Sequence, residues 1–190
     1  MSSPESLPID PLLAGLKAQL QQVAALDADT WLAVASAAHR AAYAAGRAVH
    51  LESGGLIYVG DGLMKQYARP GRTQPAINRF IAGGGLLAVP YDADSYYVKT
   101  IQPTTLFYWG ELTLRQLLCT NPTLLQAYMK LRDGQEALLD ARFRILEQRG
   151  TAKLVLMDQL FKGLRAQIKG KDLANFVHLA YGYVSQIKDK

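Results

Sequence analysis

The chain is short of the residues from which catalytic and metal chemistry is built. It has one cysteine, Cys119, which excludes a disulfide framework and any iron-sulfur or zinc cluster held by several thiolates. His39, His50 and His178 stand far apart with no partner at metal-ligand spacing, so neither a metal nor a cofactor is expected. Cys119 has no recognisable partner for nucleophilic work. The run Gly83-Gly84-Gly85 lacks the Gly-Lys-Ser or Gly-Lys-Thr ending of a phosphate loop. No apolar run reaches the ~20 residues of a bilayer span, and residues 1–25 lack a basic start followed by a continuous apolar core. These absences argue against an enzyme and against a membrane partner, and they predict a soluble protein of a reducing cytoplasm.

Charge is modest in amount and uneven in placement. The formal net charge is +5 and the isoelectric point is near 9.3, a balance that permits phosphate binding without demanding it. From Lys153 onward seven Lys and Arg face only Asp158, Asp172 and Asp189, so this tail carries +4 of the excess. With 190 residues the chain suffices for one large domain or for two small ones with real cores.

Residues 11–25 have helical spacing through Leu12, Leu13, Leu16, Leu20 and Val23, and Asp27 can cap a second helix over residues 28–45. From Arg47 the texture changes to short runs at 48–51, 56–59, 63–68, 76–81, 86–89, 96–101 and 105–109, separated by glycine-rich turns. Such spacing predicts an antiparallel sandwich or barrel. A long helix follows, capped by Thr120 or Asn121, with Pro122 in its first turn and Gly150 ending it after Arg149. Leu124, Leu131, Leu138 and Ile145 recur every seven residues, broadened by Leu125, Tyr128, Leu139 and Leu146. The stripe can pack on its own barrel or against a second copy of itself; a rod of about 40 Å, longer than one small barrel needs, favours a homodimer.

The last twenty residues read as helix, turn, helix. Leu173, Val177, Leu179, Val184 and Ile187 fall inward and Ala174 lies at the crossing, leaving Tyr183, Ser185, Gln186 and Lys188 on the outer face of the second helix. That shape fits a DNA major groove. His178 stands at the turn where glycine is usual, so a left-handed backbone would cost more there. Ala180 stands where Ser or Thr would cap the second helix, and Gly182 weakens its first turn.

In order, then, come helices, an eight-strand-like roll, a long helix and a basic helix-turn-helix. This layout resembles the Crp/Fnr family of bacterial transcription regulators over nearly the whole chain. Residues 55–63 (Gly-Leu-Ile-Tyr-Val-Gly-Asp-Gly-Leu) are similar to the family's strand, glycine turn, strand; residues 117–124 are similar to the entry into its dimer helix; Lys171-Asp172-Leu173-Ala174 and Val184-Ser185 are similar to the two helices of its DNA reader. The resemblance implies an α+β fold: N-terminal helices and an antiparallel β-roll of the jelly-roll or cupin-like kind (1–118), a long dimerisation helix (119–150) and a small, degenerate helix-turn-helix (151–190). It implies DNA as partner, with Lys169, Lys171 and Lys188 on phosphates and Tyr183, Ser185 and Gln186 at base edges, and a dimer seam through Leu124, Leu131, Leu138 and Ile145. Gln186 replaces an Arg that in the family reads guanine, and Gln pairs better with adenine.

The family's cyclic nucleotide site depends on a Gly-Glu-Leu turn followed by an Arg, a small hydroxyl residue and Ala. Gly110-Glu111-Leu112 copies the first half, but it follows the final strand and runs into Leu114–Leu118, so it reads as a helix start. The place proper to the cassette, between Leu86 and Tyr96, supplies Asp92 and Asp94 and no arginine. A buried cyclic phosphate needs a paired cation, so the usual site is missing. Arg79 and Lys99 are candidates for some other anion, and Tyr91, Tyr96 and Tyr97 could line a pocket for an unknown small-molecule effector. The alternative reading is a dimeric sensor or interaction protein that keeps the roll and the long helix without binding DNA.

Overall fold

The computed structural model describes residues 9–50, 52–68, 75–91 and 96–188. Asp10 accepts from the Leu12 amide at 2.9 Å and starts a 3-10 turn, Pro11–Leu13, that continues into α1, Ala14–Val23. Leu13, Leu16 and Leu20 bury one face of this segment. The Asp27 carboxylate accepts from the Thr30 amide at 2.7 Å and its hydroxyl at 3.1 Å, capping α2, Ala28–Ser36.

The second helix is shorter than its periodicity predicts. It ends at Ser36, and His39–Tyr43 forms β1. Alanines dominate residues 37–45, and a helix is held mainly by an apolar face packed on a core. Antiparallel pairing with the last strand instead gives this backbone its partners, and Arg40 Nε meets Asp10 Oδ2 at 3.1 Å.

The roll continues with β2 (Ala48–Val49), β3 (Leu56–Asp61), β4 (Leu63–Ala68), β5 (Ala76–Ala82), β6 (Leu86–Ala88), β7 (Tyr96–Thr100) and β8 (Thr104–Trp109). The strands form two four-stranded sheets, ordered β1-β8-β3-β6 and β2-β7-β4-β5, with every pair antiparallel. Such crossed-over order is that of a jelly roll. Val59, Met64, Ile81, Val98 and Leu106 fill its interior. Between β3 and β4, Gly62 has φ +99°, and a Cβ there would lie 2.5 Å from the Pro103 carbonyl oxygen; only glycine fits.

Glu111 opens α3, Glu111–Thr120, as read from the sequence, and the expected boundary after residue 118 falls inside this helix. α4 runs Pro122–Glu147, with Pro122 in its first turn. Asn121 occupies the N-cap without capping: its Oδ1 accepts from the Thr30 hydroxyl at 2.9 Å, and its Nδ2 donates to the Leu117 carbonyl at 3.2 Å. Then come α5 (Ala152–Leu160), α6 (Leu164–Gln167), α7 (Gly170–Val177) and α8 (Tyr181–Lys188).

These last helices share a core with the roll. Leu63 and Ile77 of β4 and β5 pack with Ile145, Met157, Leu173, Phe176 and Val184. Phe176 of α7 meets Phe80 at 5.0 Å and Phe161 at 5.8 Å between ring centroids. The outer face of the second sheet is therefore the platform on which α7 sits.

Candidate ligand cavity and nucleic-acid interface

A cavity of about 660 Å³ lies where the second sheet and the β6 end of the first meet α3 and α4, a size that suits a small organic ligand. Its chemistry is set by a bulge. Gln66 pairs with Arg79 but Tyr67 pairs with Ile77, leaving Asn78 as the extra residue of β5. A bulge shifts the alternation of side chains by one position. Ile77 therefore packs outward with α7, while Arg79 turns inward beside Gln66, at 8% and 5% exposure.

Arg79 reaches α4 through neutral oxygens. Its Nη1 donates to Gln135 Oε1 and its Nη2 to the Gln135 carbonyl, both at 3.2 Å. Gln135 Oε1 also accepts from the Ala88 amide at 3.2 Å, so one α4 side chain holds two strands. Arg79 Nε and Asn78 Oδ1 are buried with no hydrogen-bond partner. Burial pushes the Arg79 pKa down, with Tyr96 opposing, yet guanidinium remains protonated at neutral pH. At the rim the cations have carboxylates: Arg115 lies 4.0 Å from Glu111 and Arg132 3.9 Å from Glu136.

The five residues expected to bind a ligand divide. Arg79, Tyr91 and Tyr96 line the cavity, Tyr91 at its mouth and 75% exposed. Tyr97 and Lys99 do not. On β7 the inward positions are Tyr96, Val98 and Thr100, so the intervening residues face outward: Tyr97 stacks on Tyr67 at 4.5 Å and Lys99 Nζ lies 5.8 Å from the Tyr97 ring. Asp92 and Asp94 lie outside the described residues. Sequence reasoning missed Gln66, Asn78 and Gln135, which are ordinary polar residues until the bulge and α4 bring them to one cavity.

At the other end of the molecule, α7 and α8 meet at His178, with φ 53° and ψ 53°, the only non-glycine among the described residues with positive φ. The Leu179 amide closes the turn on the Ala174 carbonyl at 2.9 Å. His178 Nε2 lies 3.1 Å from Arg142 Nη2 of α4, and Lys153 Nζ donates to the Val177 carbonyl at 3.0 Å. These contacts offset the ~1–2 kcal/mol that a left-handed residue costs.

Leu173, Val177 and Val184 are fully buried, with Leu179 and Ile187 packed beside them. Lys169, Lys171, Tyr183 and Gln186 are exposed, Ser185 is half-buried, and Lys188 is the last residue of α8. Lys171 Nζ lies 5.8 Å from the Tyr181 ring. The opposite side of α7 is committed to the roll: Lys65 Nζ donates to Asp172 Oδ1 at 2.6 Å, Asn175 Oδ1 accepts from the Ile77 amide at 2.6 Å, and Asn175 Nδ2 donates to the Pro75 carbonyl at 3.2 Å. Asp172 and Asn175 stand three apart, which places them on one helical face.

The stripe expected to form a dimer seam faces largely inward. Leu124 packs with α1 and α2 at 5% exposure, and Ile145 sits in the α7 core at 0%; both belong to the chain's own core. Leu131 packs on the same N-terminal cluster, and Leu138, though exposed, lies beside the β5–β6 turn. A second stripe, about a third of a turn round, carries Leu125, Met129, Leu139 and Phe143, with Phe143 59% exposed.

No protein-family profile and no curated protein matches the chain. Solved structures do. FixK2 from Bradyrhizobium japonicum is 13% identical with a TM-score of 0.66, over 80% of this chain and 83% of its own. CLP from Xanthomonas campestris, a c-di-GMP responsive global regulator, is 17% identical with a TM-score of 0.63, over 86% of this chain and 90% of its own. A structure from Eubacterium rectale assigned to the Crp/Fnr family of transcriptional regulators is 8% identical with a TM-score of 0.68, over 85% and 82%. The chain thus has the fold of Crp/Fnr regulators, a β-roll followed by a helical C-terminal region.

Proposed function

We propose that this protein is a homodimeric, DNA-binding transcription regulator, not an enzyme, whose roll takes a small-molecule effector in the cavity beside α4. The observation that carries the reading is the exposed, basic face of the α7–α8 pair, built on a closed helix-turn-helix. Lys169, Lys171 and Lys188 are assigned to phosphates, and Tyr183, Ser185 and Gln186 to base edges. The seam is assigned to Leu125, Met129, Leu139 and Phe143 of α4, since Leu124 and Ile145 are consumed by the chain's own core. Residues up to 118 form the sensor, 119–150 the dimer helix and 151–190 the reader.

Titration of random duplex at low and moderate salt tests this. Phosphate contacts release counterions, so affinity must fall steeply with salt. Lys169→Ala and Lys171→Ala should weaken binding to every sequence and lower the salt slope by about one each. Gln186→Ala should cost about 1–3 kcal/mol on a preferred site and little elsewhere. A wild type without salt-sensitive DNA affinity would leave the interaction-protein reading in its place.

A further inference from the structure

α7 covers only part of the outer face of the second sheet. Leu63, Ile77 and Phe80 pack with the reader, whereas Tyr97 and Lys99 of β7 lie beyond that contact, and the outward positions of β4 and β7 hold no acidic residue. The register places Lys99 directly opposite Lys65, and like charges opposed across two strands repel. Asp172 of α7 answers Lys65 at 2.6 Å. Lys99 is exposed, and among the described residues no carboxylate lies within ion-pair distance of it; its Nζ lies 5.8 Å from the Tyr97 ring. Lys171 repeats the arrangement on the reader, exposed, without a carboxylate within ion-pair distance and 5.8 Å from the Tyr181 ring. Between the two cations runs a groove of about 370 Å³, lined by Tyr67 on the roll and by Lys171 and Tyr181 on the reader. Asp172 also lines it, but its charge is spent on Lys65. Tyr67 stacks on Tyr97 at 4.5 Å, so cations and phenols follow one another from the reader across the groove to Lys99.

We propose that this strip of the roll, Tyr67, Tyr97 and Lys99, binds the phosphate backbone of duplex DNA where it runs out past the reader. The proposal rests on the DNA-binding reading above and extends the interface to residues which that reading leaves out. Charge complementarity selects the partner, because lysine ammonium groups and tyrosine hydroxyls are phosphate contacts. Reach agrees with it: Lys99 lies one strand, about 4.8 Å, farther from α7 than Lys65, and phosphates of one DNA strand succeed one another at about 3.4 Å of helix axis. A strand seated on Lys171 therefore needs only a few more nucleotides to meet Lys99. Lys65, together with Asn175 on the Ile77 amide and the Pro75 carbonyl, ties α7 to the sheet, so the two halves of the surface keep one geometry. Backbone contacts carry no sequence information directly; the strip adds affinity and salt dependence, and base reading stays with α8.

The test uses the full chain and a duplex of about 30 base pairs, roughly three helical turns. Lys99→Ala should weaken binding to every sequence by about 3- to 8-fold at about 0.1 M salt and lower the salt slope by about one. Lys99→Arg, which keeps the charge, should bind as the wild type does and so separates lost charge from a damaged fold. A DNA-cutting iron chelate tethered through Lys99→Cys, with Cys119→Ser removing the exposed native thiol, should cut the duplex. The same reagent tethered through Gln22→Cys, exposed on α1, should not. Unchanged affinity and slope in Lys99→Ala, a loss that Lys99→Arg fails to restore, or no cutting from position 99 would overturn the proposal. Polyglutamate that displaces the duplex at equal charge would overturn it too, and would assign the strip to an acidic protein. The two readings fail differently. Weakening by Lys169→Ala and Gln186→Ala with Lys99→Ala silent keeps the reader and removes the strip; the reverse pattern keeps the strip and removes the reader; a wild type without salt-sensitive DNA affinity removes both.

Discussion

The ion pair between Lys65 and Asp172 is where the roll grips the reader, and its removal should be costly and should depend on both partners. The side chains are 16% and 15% exposed and 2.6 Å apart. A hydrogen bond to a charged group contributes about 1.5–3 kcal/mol, and deleting one partner leaves the other half-dehydrated and unpaired. Asp172→Asn should therefore lower stability by about 2 kcal/mol, which for a chain of this size is a fall of about 4–8 °C in melting temperature. Replacing both, Lys65→Met with Asp172→Leu, should recover much of that loss, because the charges and their desolvation cost leave together.

Urea titrations of the wild type, Lys65→Met, Asp172→Leu and the double variant give the coupling directly. Trp31 and Trp109, the only tryptophans, both lie in the cluster of α1, α2 and the roll. Their fluorescence reports the roll, while far-ultraviolet circular dichroism reports all helices. In Asp172→Asn the dichroism should begin to fall at lower urea than the fluorescence if the reader leaves first. The effect should also depend on pH. Burial works to lower the Lys65 pKa, but Asp172, aided by Tyr67, outweighs it and the value is raised. A cation with a raised folded pKa contributes fully below its unfolded value of about 10.4, and the contribution is lost as pH climbs through the folded value. The Asp172→Asn penalty should hold steady from about pH 7 to 9 and shrink in the alkaline range. A coupling energy below about 0.5 kcal/mol would refute the clamp, since that is the worth of an ordinary surface pair.

Three further outcomes follow from the geometry. Met129→Glu with Phe143→Glu should yield a monomer by sedimentation at micromolar concentration with little change in melting temperature, whereas Ile145→Ala, in the chain's own core, should cost about 2–5 kcal/mol; dissociation caused only by core changes would move the seam elsewhere. Gly62→Ala should cost at least about 2 kcal/mol because of the backbone it would strike, while Gly134→Ala, in open space on α4, should gain up to about 1 kcal/mol. Cyclic AMP and cyclic GMP should leave the melting temperature unchanged, because a ligand stabilises only as it binds the native state; a saturable rise with either would mean that a cyclic nucleotide site is present after all.

The element order was readable because most segments carry a period that agrees with their burial. Leu13, Leu16 and Leu20 announce α1, the glycine turns announce the strands, and Pro122 and Gly150 bracket α4 within two or three residues. The exception is instructive. Residues 37–45 have alanine-rich helical propensity but little to bury, and tertiary pairing with β8 decided their state. On α4 the periodicity was read correctly, yet Leu124, Leu131 and Ile145 of its stripe pack on the chain's own N-terminal cluster and reader, while Leu138 stays exposed. A period reports that a face is buried. It does not report by which chain.

The cavity was less legible, for a reason tied to one residue. Counting alternate positions along β5 puts Ile77 and Arg79 on the same face, where an arginine beside α7 would read as solvated charge. The unpaired Asn78 breaks that parity and turns Arg79 into the interior. Nothing in Ala-Ile-Asn-Arg-Phe-Ile-Ala marks such an insertion, because a bulge is specified by the register of the partner strand as much as by its own sequence. The partner of Arg79 was equally hidden, since Gln135 lies 56 residues away and its role depends on where α4 crosses the roll. A deletion of Asn78 should therefore do more than remove an amide. It should restore strict alternation, turn Arg79 outward or force a one-residue slip of the strand, and break the Arg79–Gln135 hydrogen bonds to α4 even though both residues are still encoded.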